Sequence, residues 1–309
     1  MVADLVDVEP MAPLIVLVGP TASGKTALAL RLAERFAGEV VSCDSVAVYR
    51  GMEIGTAKPT QQERSRVPHH MIDVAWPDEA FSAGDYSRLA REAIRGIAGR
   101  GRVPIIAGGT GLYLRALLDG LFPAPPRDEV LRERLQARAK HSGGMRLHRL
   151  LRRLDPTAAE TIHANDTPKL VRALEVTLVQ RQPMTVQWQK GRDALTGFRI
   201  LRMGLNPVRA ALYERINRRA GEMFERGLVE ETMLLAEQYG YECKALGALG
   251  YAQAVAMLRG KMTRNEAVDE ARQGHRRYAK RQLTWFKRAT GSIWLKGFGV
   301  DEEIGLGAE

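Results

Sequence analysis

Two absences bound the class of protein before any motif is considered. The 309 residues include only two cysteines, Cys43 and Cys243, which lie far apart and near no cluster of His or Cys. This spacing argues against a structural disulfide or a zinc site, and we expect a reducing, cytoplasmic environment. No run of eighteen apolar residues occurs, and the start lacks the basic region of a signal peptide. The sequence therefore predicts neither a membrane-spanning helix nor a membrane partner.

The most specific motif that is present is an octapeptide at residues 19–26. It fits G-x-x-x-x-G-K-[ST], follows the apolar run 14–18 and precedes a helical pattern. In this context the backbone N–H groups and the helix N-terminus bind phosphate, Lys25 neutralises the outer phosphate, and the Thr26 hydroxyl completes a Mg²⁺ shell. The sequence therefore predicts a di- or triphosphate site with Mg²⁺ as cofactor, formed by Gly19, Pro20, Thr21, Ala22, Ser23, Gly24, Lys25 and Thr26.

Strand and helix patterns alternate through the first third of the chain, which is typical of a parallel α/β fold. The proline-rich stretch 122–126 breaks this alternation, and helical patterns without a convincing strand follow up to residue 196. We therefore predict a P-loop NTPase-like parallel sheet flanked by helices, with an all-helical insertion domain. The predicted divisions are a disordered tail (1–12), a core domain (13–123 with 197–309) and the insertion (124–196).

The predicted phosphate site lacks the second acidic residue with which P-loop enzymes usually hold the Mg²⁺ water shell. The strand pattern that ends at Ala107 continues into Gly108-Gly109-Thr110, without a carboxylate. Asp44 follows the second strand and is the strand-end carboxylate that can face the loop. From these residues alone, two interpretations remain open: phosphoryl transfer, or reaction at an acceptor beside Asp44 with diphosphate as the leaving group.

The formal charge of +10 is concentrated in two segments. Residues 127–193 hold 14 Lys and Arg against 8 Asp and Glu, and residues 261–288 hold nine against three. Such segments are often solvated helix faces, but two of them beside a phosphate site favour a polyanionic partner. Arg272, Arg276 and Lys280 recur every four residues, so we expect them to share one helix face that contacts RNA.

The motif series closely resembles the tRNA dimethylallyltransferase (tRNA isopentenyltransferase) family over roughly residues 13–290. Beside the P-loop, the matching blocks are DSVAVYRGMEIGTAKP (44–59), VPHHMID (67–73), GGTGLY (108–113), RALE (172–175), ALGY (248–251) and YAKRQLTWF (278–286). The resemblance implies transfer of a dimethylallyl group from dimethylallyl diphosphate to N6 of adenosine-37, beside the tRNA anticodon. It also implies that the partner is the anticodon stem-loop, and we expect a monomer.

The family's functional residues map onto positions of this chain. The resemblance implies that Asp44 is the general base, that Lys25 and Thr21 serve the diphosphate, and that Arg219 reaches the diphosphate too, although Arg218 is adjacent. The tRNA-contact positions it implies are Asp44, Ser45, Val46, Ala47, Thr110, Arg132, Pro168, Lys169, Leu170, Val171 and Arg172.

Three alternatives compete with this interpretation. An adenylate isopentenyltransferase shares the P-loop and the prenyl chemistry but needs no basic insertion. A P-loop small-molecule kinase requires an acidic Mg²⁺ partner, and a non-enzymatic RNA-binding protein leaves the P-loop unexplained. Radiolabelled dimethylallyl diphosphate offered with unmodified tRNA, AMP or ATP separates them.

Overall fold

The computed structural model describes residues 11–122, 124–189, 191–301 and 304. Residues 1–10 of the predicted tail lie outside the described residues, and Ala12, assigned to that tail, instead begins the first strand. The chain divides into two compact units, one of residues 1–118 with 195–309 and one of residues 119–194. The division departs from the predicted boundaries because Phe122, predicted to belong to the core domain, packs against the core of the insertion unit.

The first unit, the core, contains a six-stranded sheet in the order β3-β2-β4-β1-β5-β6, in which every pairing is parallel. Its strands are β1 Ala12–Val18, β2 Gly38–Cys43, β3 His69–His70, β4 Val103–Gly108, β5 Phe198–Leu205 and β6 Ser292–Leu295. Its helices are α1 Lys25–Arg35, α2 Gln61–Arg66, α3 Ala83–Gly99, α4 Gly111–Leu118, α10 Arg209–Glu225, α11 Leu228–Tyr239, α12 Tyr251–Leu258 and α13 Arg264–Phe286.

Two apolar layers cover the faces of this sheet, as strand periodicity requires. Along β1, Val16 and Val18 enter the layer packed with α3, whereas Ile15 and Leu17 enter the layer packed with α1. Successive side chains of a strand point to opposite faces, so a continuous apolar run produces a strand buried on both sides. The strand that leads into the P-loop is therefore anchored from both faces.

The second unit, which we call the insertion, contains helices only among its described residues. They are α5 Glu129–Ser142, α6 Gly144–Leu154, α7 Pro156–Thr161, α8 Thr167–Gln180 and α9 Met184–Gln189. Asp128, Asp155 and Asp166 each accept a backbone N–H as an N-cap, which satisfies a donor that the helix itself cannot. The helices share one core of their own, which includes Leu147, Leu151, Leu170 and Leu174.

Candidate active site

Three strands of the core end at the same edge of the sheet. Val18 lies opposite Gly108 in the pairing of β1 with β4, and Cys43 lies opposite Gly108 in that of β2 with β4. The segments that follow, namely the P-loop, Asp44 and Gly109-Thr110, therefore start side by side. They border a cleft of about 320 Å³. The side chains of its wall that bear on the chemistry are Thr21, Lys25, Thr26, Asp44, Arg215, Arg219, Tyr278 and Gln282.

The P-loop presents the start of α1 to this cleft. Gly24, the residue before α1, has φ +88°, a conformation that L side chains rarely adopt, and no side chain caps the helix. The backbone N–H groups of the first turn are consequently available to an anion. Of the predicted phosphate residues, Thr21, Ala22, Gly24, Lys25 and Thr26 line the cleft. Gly19, Pro20 and Ser23 are buried behind them and shape the turn.

Lys25 points its ammonium group into a region that already holds another cation. Its Nζ donates to the carbonyl of Pro20 at 2.8 Å. Burial, followed by repulsion from Arg219, lowers the pKa of Lys25 to about 8. An anion bound in the cleft would offset both effects, since it pairs with the ammonium group.

Arg219, rather than its neighbour, is the arginine that faces the P-loop. Arg219 Nη1 lies 3.3 Å from Thr21 Oγ1, and burial lowers the pKa of Arg219. The side chain of Arg218 is instead 70% exposed and lies near that of Glu222. Arg215, one helical turn earlier, also lines the cleft. With Lys25, three cations therefore border the space in front of α1.

Asp44 is held by a turn of its own loop. Its Oδ1 accepts the backbone N–H of Val46 at 2.8 Å and that of Ala47 at 3.2 Å. Thr110 Oγ1 accepts the N–H of Ser45 at 3.0 Å, which ties the Asp44 loop to the loop after β4. Among the described residues, no hydrogen bond engages Asp44 Oδ2, so that oxygen is available at the cleft.

Helix α13 contributes two cleft residues that the sequence analysis quoted in a family block but gave no role. The side-chain amide of Gln282 accepts from Thr21 N at 2.8 Å through Oε1 and donates to the Gly109 carbonyl at 2.9 Å through Nε2. Tyr278 lies one turn earlier, and burial followed by the charge of Asp44 raises its pKa to about 12. No local sequence signal indicates either contact, because the partners are more than 160 residues away.

A segment near the end of the chain packs on the back of the P-loop. Gly299 N donates to the Ser23 carbonyl at 2.8 Å, and Arg31 Nη2 donates to the Gly299 carbonyl at 2.6 Å. A Cβ on Gly24 would meet Gly299 N at 2.8 Å, so this close approach also requires glycine at position 24. The P-loop is thus supported by residues from both ends of the described chain.

The basic residues predicted on α13 do not form one free face. Arg272 donates to the backbone carbonyl of Asn217 at 3.2 Å, and Arg276 donates to the side chain of the same residue. These contacts join α13 to α10, whereas Lys280 is exposed. Helical spacing predicts which residues share a face but not which element that face packs against, so the pairing with α10 was not predicted, and contact of these residues with RNA stays a prediction.

In the insertion, two predicted RNA-contact arginines converge on a buried carboxylate. Glu175 is fully buried, and its Oε2 lies 3.2 Å from Arg132 Nη1 and 2.7 Å from Arg172 Nη1. Its Oε1 accepts the backbone N–H of Asp128 at 2.8 Å. Both arginines are therefore fixed in position by the fold of the insertion.

The predicted RNA-contact segment at the start of α8 divides into exposed and buried positions. Pro168 and Lys169 are exposed, and Lys169 pairs with Asp166. Leu170 and Val171 are buried in the core of the insertion. Helix periodicity turns these two side chains inward, so the segment stays a predicted RNA contact through its exposed positions and its backbone.

No three His, Cys, Asp or Glu side chains of the described residues gather as metal ligands. None of the described helices has the length and apolar content needed to cross a membrane. On the P-loop, the side-chain oxygens of Thr21 and Thr26 line the cleft, and Thr26 is the exposed residue of the two.

Together, the parallel sheet, the glycine turn into α1 and the cations in front of it define a protein of P-loop-type α/β fold that has no carboxylate directly after β4. The family model described as IPP transferase matches residues 47–289. Since this match covers well over half of the 309 residues, the chain belongs to the IPP transferase family.

Individual relatives agree with this assignment along nearly the whole chain. The tRNA dimethylallyltransferase of Koribacter versatilis is 61% identical, over 94% of this chain and 95% of that protein, and that of Solibacter usitatus is 52% identical over 94% and 95%. The full-length tRNA isopentenylpyrophosphate transferase from Bacillus halodurans matches with a TM-score of 0.69 and 40% identity, covering 94% of this chain and 93% of that one. A eukaryotic dimethylallyltransferase acting on tRNA matches with a TM-score of 0.80 and 26% identity, covering 94% and 75%.

Proposed function

We propose that this protein transfers a dimethylallyl group from dimethylallyl diphosphate to N6 of adenosine-37 in tRNA and releases diphosphate. The observation that supports this most directly is the composition of one cleft. Three cations, Lys25, Arg215 and Arg219, line this cleft together with Asp44, and no acid comes directly after β4. Such a cleft favours a diphosphate that departs as a whole over one that is hydrolysed or passed on as phosphoryl.

The chemical difficulty lies in both partners of the reaction. The lone pair of the adenine amino group is delocalised into the ring, so N6 is a weak nucleophile, and the diphosphate must leave with an additional negative charge. Lys25, Arg219 and the N–H groups at the start of α1 would stabilise that charge as it develops. Thr21, whose hydroxyl contacts Arg219, would lie beside the bridging oxygen.

The acceptor half of the reaction centres on Asp44. As the bond from N6 to C1 of the dimethylallyl group forms, the bond from C1 to oxygen breaks and its electron pair departs with the diphosphate. The proton of N6 then passes to Asp44 Oδ2, since Oδ1 is engaged with the N–H groups of Val46 and Ala47. This division of roles keeps the carboxylate oriented while one oxygen acts as the base.

The donor atoms of the cleft fit magnesium as the cofactor. Mg²⁺ prefers oxygen ligands and is often held by one or two protein oxygens together with substrate phosphates. The Thr26 hydroxyl would hold it with the diphosphate oxygens. When bound, the ion would neutralise part of the diphosphate charge.

The insertion and Lys280 are the parts that we expect to bind the anticodon stem-loop, and we propose that the protein acts as a monomer in the cytoplasm. Binding that depends on RNA phosphates weakens as salt rises, with a log–log slope of about 0.7–0.9 for each phosphate neutralised. Filter binding of the stem-loop across a salt series should show this slope. A flat dependence would contradict RNA binding through the basic segments.

The transfer reaction itself can be tested in one assay. Radiolabelled dimethylallyl diphosphate is offered with unmodified tRNA, with the same tRNA carrying guanosine at position 37, with AMP and with ATP. We expect label only in the first tRNA. Label in AMP or ATP would identify an adenylate isopentenyltransferase, and absence of label from every acceptor would contradict the proposal.

A further inference from the structure

The side chain of Gln282 joins the two halves of the cleft through one amide group. Its side chain is 5% exposed, and its two polar atoms bond to Thr21 N and to the Gly109 carbonyl. Because a backbone N–H can only donate and a carbonyl can only accept, these partners fix which way the amide points. The link spans from the P-loop to the loop after β4.

Each hydrogen-bond partner of Gln282 is connected to a residue that acts in the proposed reaction. Thr21 belongs to the diphosphate loop and contacts Arg219 through its hydroxyl. Gly109 precedes Thr110, whose hydroxyl accepts the N–H of Ser45, the residue after Asp44. The amide therefore connects the leaving-group side to the acceptor side by a chain of hydrogen bonds.

The fit around the amide allows little variation. A Cβ on Gly109 would lie 2.0 Å from Gln282 Nε2, so the amide can keep this position only beside a glycine at 109. Removal of the amide would leave Thr21 N without its acceptor and the buried Gly109 carbonyl with only a 3.5 Å contact from the Tyr278 hydroxyl, a loss that the surrounding structure would relieve by moving. Such a movement would change the distance between Thr21 and the Asp44 loop.

We propose that Gln282 is a positioning residue, which fixes the diphosphate loop and the Asp44 loop at the spacing that prenyl transfer requires. The proposal rests on the proposed function, in which the acceptor nitrogen must approach C1 in line with the departing oxygen. Misplacement by about 1 Å can reduce a rate by about 100-fold. The effect should appear in the rate of transfer more than in the binding of either substrate.

Three variants test this role. Gln282→Leu removes both hydrogen bonds with an apolar side chain that is one bond shorter, and Gln282→Glu keeps the length and an acceptor for Thr21 N but loses the donor to Gly109. Gln273→Leu, at an exposed position of the same helix, is the matched control. Single-turnover transfer to tRNA, affinity for a diphosphate analogue and thermal unfolding are measured for each.

We expect Gln282→Leu to lower kcat by about 100-fold, with analogue affinity and stem-loop affinity within about threefold of wild type, and Gln273→Leu to match wild type. For Gln282→Glu, the ratio of its rate to that of wild type should rise as pH falls, since a protonated carboxyl can again donate to Gly109. If Gln282→Leu does not fold, the pH dependence of the Gln282→Glu rate ratio still tests the proposal.

Two outcomes would overturn the proposal while leaving the proposed function intact. One is a folded Gln282→Leu protein with kcat within twofold of wild type; the other is a Gln282→Glu ratio that stays constant with pH. A wild-type protein that fails to label tRNA would instead contradict the proposed function.

Discussion

The core and the insertion are built from contacts of very different range along the chain. In the core, Thr21 meets Arg219 and Gln282, which are 198 and 261 residues away. In the insertion, helices α5, α7 and α8 begin at their own aspartate caps, and Arg172 pairs with Glu175 three residues later. The core therefore assembles a site that no single segment contains, whereas the insertion forms a scaffold largely from neighbouring residues.

We expect the largest effect from a substitution of Asp44. It should remove the transfer activity of the core and leave RNA binding by the insertion intact. Asp44→Ala should lower the transfer rate by about 10²–10⁴-fold, since a positioned base is removed, while stem-loop affinity stays near wild type. Asp44→Asn is the matched control, because its amide oxygen can still accept from Val46 and Ala47. If Asp44→Asn transfers at the wild-type rate, Asp44 only anchors its loop and another group is the base.

A second variant tests whether the insertion depends on Glu175. Glu175→Leu would leave Arg132 and Arg172 without their shared carboxylate, and breaking a buried pair in this way costs roughly 3–5 kcal/mol of stability. Stem-loop binding should be lost while diphosphate-analogue affinity in the core is retained. Glu160→Leu, at an exposed position, should change stability by about 0.5 kcal/mol at most. An equal loss of analogue affinity in Glu175→Leu would show that the two units are not independent.

A smaller effect concerns Lys25 and pH. A hydrogen bond to a charged group contributes about 1.5–3 kcal/mol, so Lys25→Ala should weaken diphosphate-analogue binding by about 10–100-fold. The pKa of Lys25 is lowered to about 8, so the free protein loses this cation as pH rises through that value. Wild-type affinity should therefore fall above about pH 8, whereas that of Lys25→Arg should not fall there, since arginine stays protonated. Titration calorimetry from pH 7 to 9 measures the affinity of both proteins for the diphosphate analogue. Parallel pH profiles for the two proteins would contradict this role of Lys25.

Sequence patterns predicted the insertion more closely than the edges of the sheet. Helix α8, Thr167–Gln180, begins where local sequence signals place a helix start, because Asp166 caps it and Pro168 suits its first turn. Strand β6 was missed, since its four residues are partly exposed and are defined by pairing with β5 rather than by a buried apolar run. Local signals thus suffice where the structure itself is local.

The same distinction explains what could be predicted of the site. The octapeptide at 19–26 contains the residues that indicate a phosphate site, and Asp44 follows a strand that is recognisable in the sequence. Both were therefore predicted from the sequence. The role of Gln282 could not be predicted, because an amide on a basic helix has no local signal for a partner 261 residues away. The pairing of Arg272 and Arg276 with Asn217 was missed for the same reason.

The contacts of Gln282 and Gly299 with the P-loop also determine when the site can be completed during translation. Thr21 leaves the ribosome early, but its partner Gln282 follows 261 residues later. At about 5–20 residues per second, that separation corresponds to roughly 13–50 s of translation. During this interval the nascent chain can form the strands and the glycine turn, yet it lacks the contacts that fix the turn against the Asp44 loop. Productive diphosphate binding would therefore be acquired only after Gln282 and Gly299 have been synthesised.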